Sequence, residues 1–544
     1  GGVEEKSNPG PGMGQAFQHP SGNWVMKYPM GQALQFLPWF TAAHLLAEPL
    51  GYPADGFSLP YQAAISWGSL LVALLGLWFL RRVLLTYFSD NVVAAVLVCL
   101  VFGTNYLEYA SITGAMTHNW LFTLYALLIF STIRFYQKPS LGWAAAIGLL
   151  VGWATLTRPT EIISALIPVF WGVGSWVALR ERFLFFKNNF PKIGLAAVVA
   201  GAVIFLQLAY WKYATGEWLV YSYQEQSFSW FKPHLTDVLF SARAGWLVYS
   251  PMMIFAVLGM FFLGRRRLAE GGLRPAILLF CLIALYITAA WDIWWYGGSL
   301  GQRAMVQSYP LWAFGLAAFW QWVAKRSRLL KVGVTLLAGV CVYLNLWWTH
   351  QAHRGNGLFV AEQMTKRYML KVLGRFEGER DWLKLLDTKD EFKGAERRNV
   401  REVYFNNFEN DTTGVTSDTP IAGAKSLILN KEIQFSPEYH VAFGEKAPDA
   451  GDWLRASVTF RCDPKEWNWW QMTQFVVRFY QGGKIIKERI IRLQRHVDGS
   501  EEKQIFFDTK IPFTSNFDDV TVLFWNSGSD KTIRLDDLRV EIYK

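Results

Sequence analysis

Ten apolar stretches of membrane-spanning length run between about residues 61 and 348, and nothing else in the chain limits its fold so strongly. Segments such as 63–80, 120–136, 195–211, 276–290 and 332–348 approach the ~20 residues that a helix needs to cross ~30 Å of hydrocarbon. A hydrocarbon interior offers no water to the backbone, so each stretch must satisfy its amides internally as a helix. The first ~350 residues therefore read as an all-α polytopic membrane domain, whose chemistry resides in the polar residues at the helix ends.

The charge supports this reading. A net charge of +10 would suit a nucleic-acid binder, but its distribution points elsewhere. One set of inter-helix connections holds sixteen basic residues: Arg81, Arg82, Arg134, Lys138, Arg180, Arg182, Lys187, Lys192, Arg265, Arg266, Arg267, Arg274, Lys325, Arg326, Arg328 and Lys331. The alternate set holds five: Arg158, Lys212, Lys232, Arg243 and Arg303. The positive-inside rule places the sixteen in the cytoplasm, so the basic balance is topology and no nucleic-acid partner is expected. Cys99, Cys281 and Cys341 lie in apolar spans and Cys462 is alone in the C-terminal region, which excludes a disulfide there.

Residues 1–60 read as a segment outside the membrane, with a short apolar stretch at 34–46 that Pro38 interrupts, an interfacial or re-entrant helix. By span parity the chain begins outside without a leader, so one more apolar helix is expected to precede it. Residues 61–348 form the membrane domain, 349–398 a charged helical linker, and 399–544 a region of period-two alternation. In that last region 453–460, 475–480, 484–493, 520–525 and 533–543 read as strands. Turn signals at Gln481-Gly482-Gly483 and Asn526-Ser527-Gly528 separate some of them, and an all-β sandwich is expected.

The densest polar cluster is Trp291-Asp292-Ile293-Trp294-Trp295-Tyr296-Gly297-Gly298-Ser299-Leu300-Gly301-Gln302-Arg303. Its glycines let backbone amides approach an anion, and Arg303 could grip a phosphate through two parallel bonds. The plainer alternative pairs Asp292 with Arg303 and leaves the aromatics as an interfacial belt. Arg158, in Thr157-Arg158-Pro159-Thr160-Glu161, stands at a proline-stopped helix end, as an anion ligand or in a simple Arg–Glu turn. Lys27 is placed to meet phosphate or lipid headgroups. His118 could donate to a substrate or cap its helix. Tyr221, Tyr223, Glu225 and Tyr296 are candidate pocket residues, with belt packing as the alternative for the tyrosines. No Walker loop, dinucleotide fingerprint or Cys/His metal spacing is present. No nucleotide cofactor is called for, and a divalent cation held with Asp292 is left open.

The order and placement of six short motifs resemble the GT-C superfamily of polytopic glycosyltransferases, near the protein mannosyltransferase family 39 and aminoarabinose transferase branch. They are Lys27-Tyr28-Pro29-Met30-Gly31, Gly103-Thr104-Asn105, Met116-Thr117-His118, Thr157-Arg158-Pro159-Thr160, Tyr210-Trp211-Lys212-Tyr213 and Trp295-Tyr296-Gly297-Gly298-Ser299-Leu300-Gly301-Gln302-Arg303. The resemblance covers roughly residues 20–370. It implies a GT-C-like fold and transfer of a sugar from a polyprenyl-phosphate donor to a glycan, lipid or protein acceptor, at the outer face of a bacterial inner membrane. Arg303, Arg158 and Lys27 would bind the donor phosphate. The superfamily's catalytic Asp would fall upstream of Gly1, which leaves Asp292 as the best acid of this chain. The edges of the C-terminal region, Tyr404-Phe405-Asn406-Asn407-Phe408-Glu409 and Arg534-Leu535-Asp536-Asp537-Leu538, look like those of jelly-roll carbohydrate-binding modules. In such modules Glu409 and Asp537 would share a structural calcium, and Trp467, Trp469 and Trp470 would stack on sugar or fill the core.

A transporter or flippase for lipid-linked saccharides is the rival reading, but it would want polar residues and broken helices near the bilayer midplane. A ligase or polymerase of whole glycans, or a sugar-binding scaffold, fits the same loops. The charge asymmetry predicts that residues 1–61 and 350–544 lie on one side of the membrane, opposite the sixteen basic residues. A cysteine placed at Pro420 should react with an impermeant maleimide from outside. Labelling only from the cytoplasmic side would overturn the topology.

Overall fold

The computed structural model describes residues 15–223, 226–264, 272–387, 390, 392, 394–443, 448, 449, 451–462, 467, 471–497, 501–512 and 517–544. Glu225, Arg265, Arg266, Arg267, Trp469 and Trp470 lie outside them. Contacts divide the chain into two compact units, Gly1–Glu362 and Gln363–Lys544. The first is helical and the second is built on antiparallel sheets.

In the helical unit the principal helices are α1 (Gly31–Ala47), α2 (Leu59–Leu85), α3 (Asp90–Gly103), α4 (Thr117–Gln137), α5 (Leu141–Thr157), α6 (Phe190–Thr215), α7 (Arg274–Ala290), α8 (Tyr309–Val323) and α9 (Arg328–His353). A two-stranded ribbon, β1 (Ala16–Gln18) with β2 (Trp24–Met26), precedes them. By length and composition α2, α6 and α9 can each cross a membrane. The other apolar runs form shorter helices, from the 14 residues of α3 to the 21 of α4, set among the long ones. Capping residues and prolines set several of the helix ends. Ser140 and Ser327 accept from Trp143 N and Leu330 N, and Pro159 closes α5. α1 contains the expected interfacial stretch, with Pro38 inside the helix.

The core of this unit is a continuous apolar cluster in which Val93, Val96, Leu121, Ile129, Phe314 and Leu316 are fully buried. The opposite surface is apolar too. Trp67, Leu71 and Leu74 of α2, Val198 and Phe205 of α6, and Leu336, Leu337 and Val340 of α9 are each about half exposed or more. A belt of that kind in water would aggregate, whereas lipid covers it at no cost. Helices α5 and α6 approach closely through small residues. A Cβ on Gly148 would lie 2.3 Å from Ala196 O, and one on Gly152 would lie 2.9 Å from Ala200 O. Close backbone contact through small residues holds helices together where no hydrophobic effect operates between them.

In the second unit β3 (Arg401–Asn406), β4 (Val415–Thr416), β5 (Ser426–Leu429), β6 (Tyr439–His440), β7 (Trp453–Cys462), β8 (Gln474–Gln481), β9 (Lys484–Arg492), β10 (Lys503–Lys510), β11 (Asp519–Trp525) and β12 (Ile533–Tyr543) make two sheets. One has the order β10-β7-β12-β5-β4, with β3 also on β12. The other is β6-β11-β8-β9. Alternate residues of each strand face inward. Leu454, Ala456, Val458 and Phe460 of β7 meet Phe475, Val477 and Phe479 of β8 in one buried cluster, which is the all-β sandwich that the period-two pattern demands. Gly482 and Gly483, both at positive φ, turn the β8–β9 hairpin.

Part of the charged segment before β3 belongs to this unit. Asp387, with no exposed side-chain surface, accepts from Arg492 at 2.9 Å and from Arg495. Asp390 bonds Lys487 at 2.7 Å and Arg489 at 3.1 Å. Burial raises the Asp387 carboxyl above its ordinary range while Arg495 and Arg492 pull it down. Beside them, burial and then the charges of Lys384, Arg495 and Lys503 lower His496 to about 4.

This last shift has a sign. A folded-state value below the unfolded value of about 6.5 means that the unfolded chain takes up the proton first. The His496 contribution is therefore complete above pH 6.5 and is lost as pH falls toward 4. Residues 363–544, expressed alone, should give a β-dominated circular dichroism spectrum. Their unfolding free energy should drop by about 1–2 kcal/mol between pH 7 and pH 5, and His496→Gln should flatten that dependence. A helical spectrum, or an unchanged slope in the variant, would refute this.

Candidate active site

The Lys27–Gly31 motif and the start of α1 act as a dock. Trp153 Nε1 donates to Gly31 O at 3.2 Å and Gln35 Nε2 donates to Thr157 Oγ1 at 3.0 Å. Met30 N donates to Gln207 Oε1 at 2.9 Å, and Ser222 Oγ donates to Lys27 O at 2.7 Å. A Cβ on Gly31 would lie 2.4 Å from Thr157 N, so only glycine lets α1 sit against the last turn of α5. That turn delivers Arg158.

Arg158 and Arg303 meet at one ring. The Arg158 guanidinium lies 5.7 Å from the Tyr296 centroid and donates to the Tyr296 hydroxyl. Arg303 lies 6.0 Å from the same centroid, and its Nη1 donates to Gly297 O at 3.1 Å. The buried Arg303 Nε has no hydrogen-bond partner among the described residues. The two guanidiniums are within electrostatic reach of each other. Neither makes a salt bridge among the described residues. Tyr296, Gly297 and Gly298 all have positive φ, at 55°, 45° and 57°. For tyrosine that conformation is strained, and it turns the chain so that ring and carbonyl both face the arginines.

Glu161, 4% exposed, is the carboxylate whose charge acts on Arg158, but its oxygens are taken. Tyr125 Oη donates to Oε2 at 2.6 Å and Gln307 Nε2 donates to Oε1 at 2.6 Å. Gln307 in turn bonds His118 Nδ1 at 2.8 Å. Arg158, Glu161, Tyr296 and Gln307 line a cavity of about 20 Å³, room for about one water.

The remaining candidates fall around this centre. Lys27 Nζ stands 5.7 Å from the Tyr223 ring, and Tyr223 packs edge-on against Trp291 at 5.3 Å. Burial lowers the Lys27 ammonium from its ordinary value. Tyr221 is more exposed and donates to Gln226 O at 2.5 Å. Asp292 does not bridge to Arg303. Its two oxygens accept from Ser227 Oγ and Ser229 Oγ, each at 2.5 Å, and these bonds hold its carboxyl below the usual range. It pins the loop after α6 to the loop after α7, next to the Phe228–Trp291 bridge.

The residues to which the sequence reading gave no site role are mostly neutral, and of these Asn105 lies in the Gly103-Thr104-Asn105 motif. Asn105, fully buried, donates to Leu300 O at 3.1 Å and accepts from Tyr309 Oη at 2.6 Å. Tyr109 Oη accepts from Leu300 N at 3.0 Å and bonds Ser299 Oγ at 2.9 Å. Glu362 Oε1 accepts from Gly298 N at 2.8 Å, and Arg243 stacks 3.6 Å from the Trp295 centroid. Gln307, Tyr109 and Glu362 carry no sequence signal of their own. Asn105 has one, as a polar residue following an apolar run and Gly103.

In the second unit, Glu409 Oε1 accepts from Ala424 N at 2.7 Å and Lys425 N at 3.3 Å. Lys425 Nζ donates to Glu409 O at 3.1 Å and Asp411 O at 3.2 Å. A calcium ion at these carbonyls would have to displace an ammonium. Asp537 has φ 50° and its neighbour Asp536 accepts from Ser426 Oγ at 2.7 Å. No group of three His, Cys, Asp or Glu is arranged for a metal among the described residues. Trp467 donates to Cys462 Sγ at 2.7 Å and packs on the sandwich core.

No protein-family model and no curated protein matches the chain. Among solved structures, arabinosyltransferase EmbB from Mycobacterium smegmatis matches 87% of this chain and 57% of its own, at 12% identity and TM-score 0.33. This chain thus spans somewhat over half of that enzyme's length. A family 16 carbohydrate binding module matches 23% of this chain and 82% of its own, at 16% identity and TM-score 0.18. The CBM22-1 xylan-binding domain from Paenibacillus barcinonensis Xyn10C matches 27% and 97%, at 12% identity and TM-score 0.17. Likenesses at these scores carry no argument about function.

The Gly31 contact is testable. Gly31→Ala should cost about 1–3 kcal/mol through overpacking against backbone. Gly201→Ala in α6, whose Cβ would meet nothing within 4 Å, should be neutral or stabilising. Thermal unfolding of the two variants in one detergent decides it, and equal melting temperatures would remove the dock from the account.

Proposed function

We propose that this chain is a GT-C-type membrane glycosyltransferase, moving a sugar from a polyprenyl-phosphate donor to an acceptor at the outer face of the inner membrane. The observation that carries the proposal is the arginine pair. Two guanidiniums converge on Tyr296 without a carboxylate in contact with either, and one of them keeps a buried donor unused. Like charges held together at low dielectric repel, and a phosphate between them relieves both the repulsion and the unused donor.

The chemistry needs such a group. As the bond from the anomeric carbon to the phosphate oxygen breaks, charge builds on the phosphate, and fixed cations stabilise the transition state more than the ground state. Arg158 and Arg303 would hold the phosphate, with Lys27 farther along the same aromatic wall. His118, fixed through Gln307, and Tyr296 would line the sugar side. Asp292 would keep the two loops in register. The exposed apolar surface of α6 and α9 suits a donor whose polyprenyl tail stays in lipid.

A charge-assisted bond of this kind contributes roughly 1.5–3 kcal/mol. Arg303→Ala should therefore lower transfer of radiolabelled sugar from lipid donor in proteoliposomes by about tenfold to a hundredfold or more. Arg303→Lys should recover part of the loss, since it keeps charge and loses the fork. A folded Arg303→Ala protein that transfers at the rate of the unaltered chain would place the donor elsewhere.

A further inference from the structure

We propose that the paired ends of α2 and α4 form a binding site for an anionic phospholipid, whose headgroup phosphate Arg82 and Arg134 hold. The site shares no residue with the arginine pair at Tyr296 and does not depend on the transfer reading. The two helices run side by side in one direction. Asn119 Nδ2 donates to Ser69 O at 2.9 Å, Thr123 Oγ1 donates to Val72 O at 2.8 Å, and Phe79 packs on Phe130 at 5.1 Å. A Cβ on Gly76 would lie 2.3 Å from Thr123 Oγ1, so the helices are close at mid-length. Beyond that contact a cavity of about 340 Å³ lies between their last turns, within the size range of small-molecule sites. Its lining includes Trp78, Arg81 and Arg82 of α2 and Phe130, Arg134 and Gln137 of α4.

Each helix repeats one device, an aromatic residue followed four positions on by an arginine. Residues at that spacing are neighbours on a helix surface. The Arg82 guanidinium lies 4.5 Å from the Trp78 ring centroid, and that of Arg134 lies 5.2 Å from the Phe130 centroid. Arg134 Nη1 also donates to Gln137 Oε1 at 3.4 Å. Arg81 is paired with Asp90 at 2.6 Å. Among the described residues Arg82 and Arg134 make no salt bridge and donate to no backbone carbonyl, although the last carbonyls of a helix ordinarily attract such cations. Two guanidiniums held on ring faces thus bring unused donors to one cavity, where phosphate oxygens would accept from both.

The surface that leads to the cavity makes the anion a lipid. Trp67, Leu71, Leu74, Trp78 and Arg82 follow one another at spacings of four, three, four and four residues, which is one face of a helix. The four apolar members are each about half exposed or more. From Trp67 to Arg82 the helix rises ~22 Å, enough to cover the ~15 Å of hydrocarbon in one leaflet. An acyl chain along this face would place its glycerol phosphate at Arg82, with Arg134 across the cavity. The charge asymmetry assigns this end of the bundle to the cytoplasmic side, where basic pockets between membrane helices bind anionic headgroups. A free phosphate ion would use the arginines and leave the apolar face uncovered.

Native mass spectrometry of the full chain in detergent tests this, with dioleoyl phosphatidylglycerol, dioleoyl phosphatidylcholine and inorganic phosphate as probes. The unaltered chain should retain phosphatidylglycerol and release phosphatidylcholine, and excess inorganic phosphate should not displace the lipid. Arg82→Ala and Arg134→Ala should each weaken phosphatidylglycerol binding about fivefold, and the double variant about thirtyfold. Asp90→Asn, which frees Arg81, should strengthen it. Arg326 lies 4.4 Å from the Trp322 centroid but does not line this cavity, and Arg326→Ala should leave binding unchanged. Equal retention of the two lipids, or equal losses in Arg326→Ala and Arg82→Ala, reduces the effect to diffuse charge and overturns the site. Displacement by inorganic phosphate makes the ligand a free anion and overturns the lipid assignment. Where the arginine variants fail to fold, Asp90→Asn decides: unchanged or weaker binding there overturns the proposal.

Discussion

The convergence of Arg158 and Arg303 on Tyr296 sets the conditions for the rest of the helical unit. Two cations at a helix end inside an apolar bundle are costly unless something covers them. Here the cover is aromatic: Tyr296 for the pair and Tyr223 for Lys27. A ring face attracts a cation by about 0.5–2 kcal/mol without neutralising it. A carboxylate in contact would have bound more firmly and left nothing for an incoming anion to gain.

Holding Tyr296 at positive φ is the cost of that arrangement, and the surrounding contacts supply the restraint. Gly298 N is taken by Glu362, Leu300 N by Tyr109 and Leu300 O by Asn105. Gln302 Nε2 bonds Trp294 O at 2.9 Å across the turn. Each bond satisfies a polar group that the apolar surroundings would penalise, so satisfaction of the backbone and orientation of the site are one requirement here. The segment from 104 to 119 enters this lattice through Asn105 and Tyr109, and reaches Arg303 through Met116 and Gln307 through His118. It is the element that joins the helix core to the charged centre.

Much of this was legible in the sequence because it depends on hydrophobic run length, on proline and glycine, and on where an arginine interrupts an apolar pattern. The apolar runs, the stop at Arg158-Pro159, the turn at Tyr296–Gly298 and the hairpin at Gly482-Gly483 are all of that kind. What escaped depends on contacts between residues far apart in the chain. The Glu108–His353 pair spans 245 positions and the Gln307–Glu161 bond 146; Glu108 does not stand out locally from an ordinary loop acid, and the turn that holds Glu161 gives no sign of Gln307. In the sandwich, β7, β8, β9, β11 and β12 alternate or run β-branched and aromatic. β4 and β6, two residues each, are too short for a period to register, and β10 carries lysine at both ends. The pairing of Asp292 was open between Arg303 and other partners. Serines at 227 and 229, on a loop with no apolar pattern, decided it.

The placement of the acids completes the electrostatic argument. Glu161 is close enough to act on Arg158, yet Tyr125 and Gln307 hold its oxygens. Glu108 is held the same way by Thr113 and His353. Each carboxylate thus has neutral or titratable partners that satisfy its hydrogen bonds without sharing them with a guanidinium. The charges of acid and arginine still attract at longer range, which lowers the cost of burying the cations. What remains unfilled is short-range hydrogen bonding at the arginine pair, where direction and distance matter most. A site built this way tolerates being empty because the distant acids balance much of its charge. On the proposed function, the phosphate of the donor would supply the missing acceptors.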